Sequence, residues 1–153
     1  MAHEISTLVD VRTFPGSRRY PQFNKSALSE SLASAEIVYK HEPRLGGRRT
    51  PRKDSHNTAW QNAQFRGYAD HMETDEFANG IKELLELARE SQTAVMCAEA
   101  VWWRCHRSLI ADYLKAAGHT VIHIIDEKKI QEHPFTSAAR IVDGELSYRG
   151  LLS

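Results

Sequence analysis

Two cysteines in 153 residues are too few for a disulfide framework. A chain of this length can build a sufficient core without covalent or metal staples, and in a reducing compartment both thiols are expected to be free. No apolar run approaches the roughly 20 residues of a membrane span. The start, "MAHEISTLVDV", lacks the basic stretch and small-residue cleavage site of a signal peptide. A cytoplasmic protein with no membrane partner is therefore expected. Net charge is absent too: 20 basic residues balance 20 acidic ones, which argues against a polycation that coats nucleic acid in bulk. There is no internal repeat and no low-complexity segment, and the length reads as one domain over residues 1–153.

The charge that is present is unevenly spread. Arginines and lysines crowd the first third, from Arg12, Arg18 and Arg19 to Arg48, Arg49 and Arg52, whereas residues 70–90 are mostly acidic. One basic side can hold an anion locally without binding polyanions everywhere.

Hydrophobic patterning predicts alternating elements. "STLVDVR" reads as a buried strand that breaks into the Pro- and Gly-punctuated "TFPGSRRYP". Asn24 is placed to cap a helix over "KSALSESLASAE", and "EIVYKHEP" reads as a second strand. A polar loop, "RLGGRRTPRKDSHNTAW", precedes helices over "QNAQFRGYADHM" and "DEFANGIKELLELARES". In the latter Phe77, Ile81, Leu84, Leu85 and Ala88 share a face. "TAVMCAE" is a third strand, "CHRSLIADYLKAAGH" a helix with Leu109, Ile110, Tyr113 and Leu114 inward and Gly118 as its stop, and "TVIHIID" a fourth strand. Asp143-Gly144 between apolar residues signals a hairpin. The expected fold is α/β, a three-layer sandwich with a mainly parallel sheet of about four strands plus a C-terminal β-hairpin.

In such a sheet the loops leaving the strand C-termini meet along one edge, where ligands bind. The residues least suited to a core fall in those loops. After the first strand come Asp10, Arg12, Arg18 and Arg19, and after the second Arg48 and Arg49. After the third comes "CAEAVWWRCHRS", with Cys97, Glu99, Trp102, Trp103, Cys105, His106 and Arg107. Each has an ordinary reading as well. The arginine loop can be a solvated, flexible one, and Cys97 can simply fill the core. One tryptophan is expected inside and the other partly exposed. Asp10 at the end of a buried strand needs a partner, with Arg12 the obvious one. Cys105-His106-Arg107 opens a helix, whose N-terminus favours a thiolate or a bound anion; equally, His106 and Arg107 can hydrogen-bond loop carbonyls.

Spacing disfavours two specific chemistries. Six residues separate Cys97 from Arg104, one more than a phosphatase loop has, and "AEAVWW" contains no Gly to turn its amides inward. Adjacent Cys105 and His106 rarely ligate one zinc, and there is no C-x-x-C pair, so neither a metal nor another cofactor is expected. A planar, partly anionic ligand suits the residue types better: a nucleobase stacked on tryptophan, arginines on phosphate, and Glu99 or Asp10 on the base edge.

"LVDVRTFPGSRRYPQFNK", "LGGRR", "FRGYADHM" and "MCAEAVWWRCHRSLIADYL" together resemble the bacterial and archaeal family called domain of unknown function 488. The resemblance rests on Asp10-Val11-Arg12, on Pro15, Ser17 and Arg18, and on C-x-E followed by C-H-R at Cys97, Glu99, Cys105, His106 and Arg107. Some members carry the loose label "DNA repair protein". Members usually begin with a further strand and helix, and "MAHEI" aligns with the end of that helix. The exposed edge and apolar face that this implies would be covered by homodimerisation or would leave the chain only marginally stable.

Three functions remain open. One is an enzyme or sensor for a nucleobase, nucleotide, or single-stranded or damaged DNA, with Glu99 as acid/base or base reader and Arg12, Arg18, Arg19, Arg48, Arg49 and Arg107 on phosphate. Another is a thiol-dependent enzyme using Cys105 or Cys97 with His106. The last is a non-catalytic nucleic-acid or protein-binding module.

Overall fold

A computed structural model describes residues 5–12, 25–47, 49–97, 102–125 and 128–150. The chain forms two compact units, Met1–Gly47 with Asp75–Ala98 and Arg48–Thr74 with Glu99–Ser153.

The first unit is built on three parallel strands, β1 (Thr7–Asp10), β2 (Val38–His41) and β3 (Thr93–Met96), in the order β2-β1-β3. Helix α1 (Lys25–Ser34) carries the chain from β1 to β2. Glu36, at φ 63°, turns it back, with the Ile37 N–H donating to the Leu32 carbonyl. Val9 and Val11 are almost fully buried. Helix α3 (Asp75–Glu90) leads into β3 and presents Phe77, Ile81 and Leu84 inward, at the spacing of one helical stripe. Gly80 completes that stripe, because a Cβ there would stand 2.9 Å from Leu45 Cδ2. Ala88, expected on this face, is exposed and Leu85 only half-buried: the stripe is centred on Gly80, not on Leu85.

The second unit holds α2 (Ala63–His71), α4 (Arg107–Ala116) and two antiparallel ribbons, β4 (Ile122–Ile124) with β5 (Ile130–Glu132) and β6 (Arg140–Val142) with β7 (Glu145–Ser147). Asn62 caps α2 by accepting from the Gln64 and Phe65 N–H groups. Asp143 and Gly144 take φ values of 53° and 80° between the paired Val142 and Glu145, the left-handed geometry of a two-residue hairpin.

Two expectations need correction. Among the described residues β4 is not a fourth parallel strand; it pairs with β5, six residues further on. A partner that close costs little loop-closure entropy, and the Ile125 N–H to Lys129 carbonyl bond of 3.0 Å continues the ribbon. In α4 the buried residues run Ser108, Leu109, Ile110, Ala111 and Asp112, whereas Tyr113 and Leu114 are half-buried. Gly118 stops this helix at φ 96°. No helix among the described residues is long and apolar enough to cross a membrane.

Candidate functional site

In the first unit the parallel strands end in register, Asp10 beside His41 and Met96. The order β2-β1-β3 puts a topological switch between β1 and β3, the position where open α/β sheets take ligands. Asp10 is fully buried there and accepts from Arg12 Nε at 2.9 Å, from Arg12 Nη2 at 2.7 Å, from the Arg12 backbone N–H and from the Tyr39 hydroxyl. Burial pushes the Asp10 carboxyl up, but the bonds from Arg12 and Tyr39 outweigh it and hold the group below the ordinary range. Burial and the adjacent carboxylate raise Tyr39, so its hydroxyl stays a donor. His41 Nε2 donates to the Arg12 carbonyl at 2.7 Å. Arg12 is thus committed to a local clasp that closes the end of β1.

In the second unit, a short 3-10 turn at Trp102–Arg104 leads into α4. Trp103 is 56% exposed, with Trp102 edge-on to it at 5.6 Å. Cys105 is buried, and its Sγ accepts from the Arg107 N–H at 3.4 Å and lies 3.7 Å from His106 Nδ1. His106 packs on Tyr68 at 4.8 Å between ring centroids. Within the polar loop, residues 52–57 are pinned. Asp70 on α2 accepts from the Arg52 N–H, the Ser55 hydroxyl and Asn57 Nδ2, and Glu73 accepts from Asn57 and His56. Burial raises Asp70, yet those bonds prevail and its carboxyl lies below the usual range. Gly67 is required beside this segment, because a Cβ would come 2.1 Å from the Arg49 carbonyl oxygen.

A further cluster in the same unit centres on Asp112, fully buried on α4. Its Oδ1 accepts from His133 Nε2 at 2.8 Å and from the Thr136 N–H at 3.0 Å; its Oδ2 accepts from the Thr136 and Tyr148 hydroxyls. Burial, then Asp112, raises Tyr148 and keeps it a donor. His133 Nδ1 lies 2.7 Å from His123 Nε2. His123 is half-buried and stacks on Trp102 at 4.3 Å with an interplanar angle of 2°. Burial, His133 and Arg107 lower His123 to about 4.

Residues 1–114 match the model of the family described as Domain of unknown function DUF488. The chain belongs to that family. No curated protein and no solved structure matches it.

Of the residues singled out in this DUF488 protein, Asp10 and Arg12 are brought together in the first unit. Cys97 is half-buried there and is not part of the closed core. Trp102, Trp103, Cys105, His106 and Arg107 adjoin one another at the start of α4, and Arg49 is half-buried ahead of the pinned residues 52–57. Arg18, Arg19, Arg48, Glu99 and the capping residue Asn24 lie outside the described residues. An open cavity of about 960 Å³ faces Glu73, Tyr113 and the β6–β7 hairpin, and none of the described candidates lines it. Sequence reasoning missed Tyr39, Asp112, His123, His133, Thr136 and Tyr148. One signal was present: Asp112 follows Ser108 and Leu109 at helical spacing, which places a carboxylate on a buried stripe.

Proposed function

We propose that this DUF488 protein is an enzyme or sensor that recognises a nucleobase- or nucleotide-containing anion at the start of α4. The observation that carries the reading is the exposed Trp103, set edge-on to Trp102 in the turn that delivers Arg107 to the helix N-terminus. An exposed indole in a turn that also carries Arg104 and leads into Arg107 offers stacking to a planar ring and charge to its phosphate. Glu99, three residues before Trp102, would read the base edge or move a proton; Arg18, Arg19 and Arg48 would add anion-binding capacity. Arg12 has no part in this, because its guanidinium is held by Asp10.

Thermal shift with nucleoside monophosphates, free nucleobases, inorganic phosphate and short single-stranded DNA tests the reading. Stabilisation by a nucleotide that Trp103→Ala and Arg107→Gln both weaken supports it. Absence of any shift overturns it. Salt-steep binding of single-stranded DNA without turnover identifies a binding module instead.

The second reading, thiol chemistry at Cys105, draws on the Arg107 N–H donated to its Sγ, which favours the thiolate. Against it stands an exposure of 3%. Iodoacetamide labelling across pH decides: alkylation of Cys105 well below pH 8.5, the ordinary thiol value of about 8.5 being the reference, supports thiol chemistry, and inertness removes it.

A further inference from the structure

We infer that Asp112, His133 and His123 form a proton relay, in which His123 is the base that meets a molecule presenting a weakly acidic O–H or N–H.

Hydrogen-bond direction leads to this. Four donors converge on Asp112, so the carboxylate acts only as an acceptor. His133 therefore carries its hydrogen on Nε2, and its Nδ1 accepts from His123 Nε2. That fixes the outer ring: His123 Nε2 bears hydrogen and Nδ1 keeps a lone pair. The array runs from a fully buried carboxylate to a half-buried imidazole whose plane is held by the stacked Trp102. Lys115 Nζ donates to the His133 carbonyl at 2.9 Å, and the His133 N–H donates to the Val121 carbonyl, which anchors the middle ring.

Proton balance is simple. An N–H bond forms at His123 Nδ1 as the substrate O–H or N–H bond breaks, and the electron pair stays on the substrate atom. The Nε2 hydrogen of His123 passes to His133 Nδ1. His123 is neutral again, now with hydrogen on Nδ1, and the positive charge rests on His133 against Asp112. The groups facing His123 favour that destination. Arg107 opposes a charge on His123 itself, while Asp112, 2.8 Å behind, stabilises one on His133. His123 is then the catalytic base, and His133 and Asp112 are positioning residues. Both histidines lie beyond the family-matched residues 1–114.

The relay shares Trp102 and Arg107 with the nucleobase reading, but the ligand-free protein tests it, so either can fail alone. The ring nitrogens of ¹⁵N-labelled protein are followed by long-range ¹H–¹⁵N correlation from pH 8 down to about 4.5, a range spanning the ordinary histidine value. The expected result is uptake of one proton by the pair: both His133 nitrogens shift to protonated positions while His123 switches its hydrogen from Nε2 to Nδ1. Double protonation of His123 with His133 unchanged overturns the relay, as does a pair that takes up no proton. His123→Phe keeps a ring against Trp102 and removes both nitrogens. In that variant His133 Nδ1 loses its partner, and its ¹⁵N resonance at pH 8 is expected to move; an unchanged resonance overturns the proposal equally.

Discussion

Among the described residues each compact unit buries one carboxylate completely, Asp10 in the first and Asp112 in the second, and their surroundings differ in kind. Asp10 is neutralised two residues away by a bidentate arginine, itself 6% exposed, and its one further side-chain donor, the Tyr39 hydroxyl, leads to no second titratable ring. Asp112 is met by neutral donors drawn from as far away as Tyr148, and one of them, His133, passes the connection to a second imidazole. A closed ion pair fixes a loop. A carboxylate held by neutral, two-ended rings can pass a proton outward. The difference separates structural from chemical use of a buried acid, although both residues look alike in the sequence.

Substitutions can break this comparison. Asp112→Ala should have the largest effect, because four donors lose their acceptor at about 1–1.5 kcal/mol each; urea unfolding should show a loss of about 4–6 kcal/mol on that basis. Asp10→Ala leaves Arg12 buried without its carboxylate and should cost about 3–4 kcal/mol in the same measurement. An Asp10→Ala loss below about 1 kcal/mol would show that the clasp is no more than a surface-like pair. Gly67→Ala drives a methyl into the Arg49 carbonyl and should cost about 1–3 kcal/mol.

Acid sharpens the contrast. His123 sits below its unfolded value of 6.5, at about 4, so the unfolded chain binds protons that the native state does not. Its stabilising contribution is full above pH 6.5 and is lost as pH falls toward 4. Asp10 and Asp70, both lowered, contribute above the usual carboxylate range and lose that contribution only as pH drops below it. Scanning Tm against pH should therefore show two falls, and His123→Phe should abolish the first and spare the second. The smallest effect on stability belongs to Trp103→Ala, within about 0.5 kcal/mol. The same change should weaken nucleotide binding about tenfold, since one stacked base contributes about 1–3 kcal/mol.

Much of the first unit was legible. Its β-branched runs, separated by a helix-period stretch, mark parallel strands, and Asp10 in "LVDVR" demanded the partner it has. Asp143-Gly144 marked the hairpin because few other pairs adopt positive φ twice in succession. The second unit was harder to read. In "VIHII" the alternation suggests isoleucines inward, yet Ile122 and Ile124 are 50% and 44% exposed, and His123 takes the inner side. Its partner strand "IQE" has a single apolar residue, so nothing announced the ribbon. The Asp112 network draws on α4, the residues after β5 and the end of β7. Segments that meet only through folding leave no spacing pattern to find. Trp102 and Trp103 were conspicuous by composition, but Trp102's partner His123 became visible only through packing.

The account depends most on the outward end of the Asp112 network being a free base in the resting protein. Histidine ring ¹H–¹⁵N correlation at pH 8 reads this directly. Hydrogen on Nε2 of both His123 and His133, with an unprotonated Nδ1 on His123, is the predicted result. Hydrogen on His123 Nδ1 at that pH would contradict it.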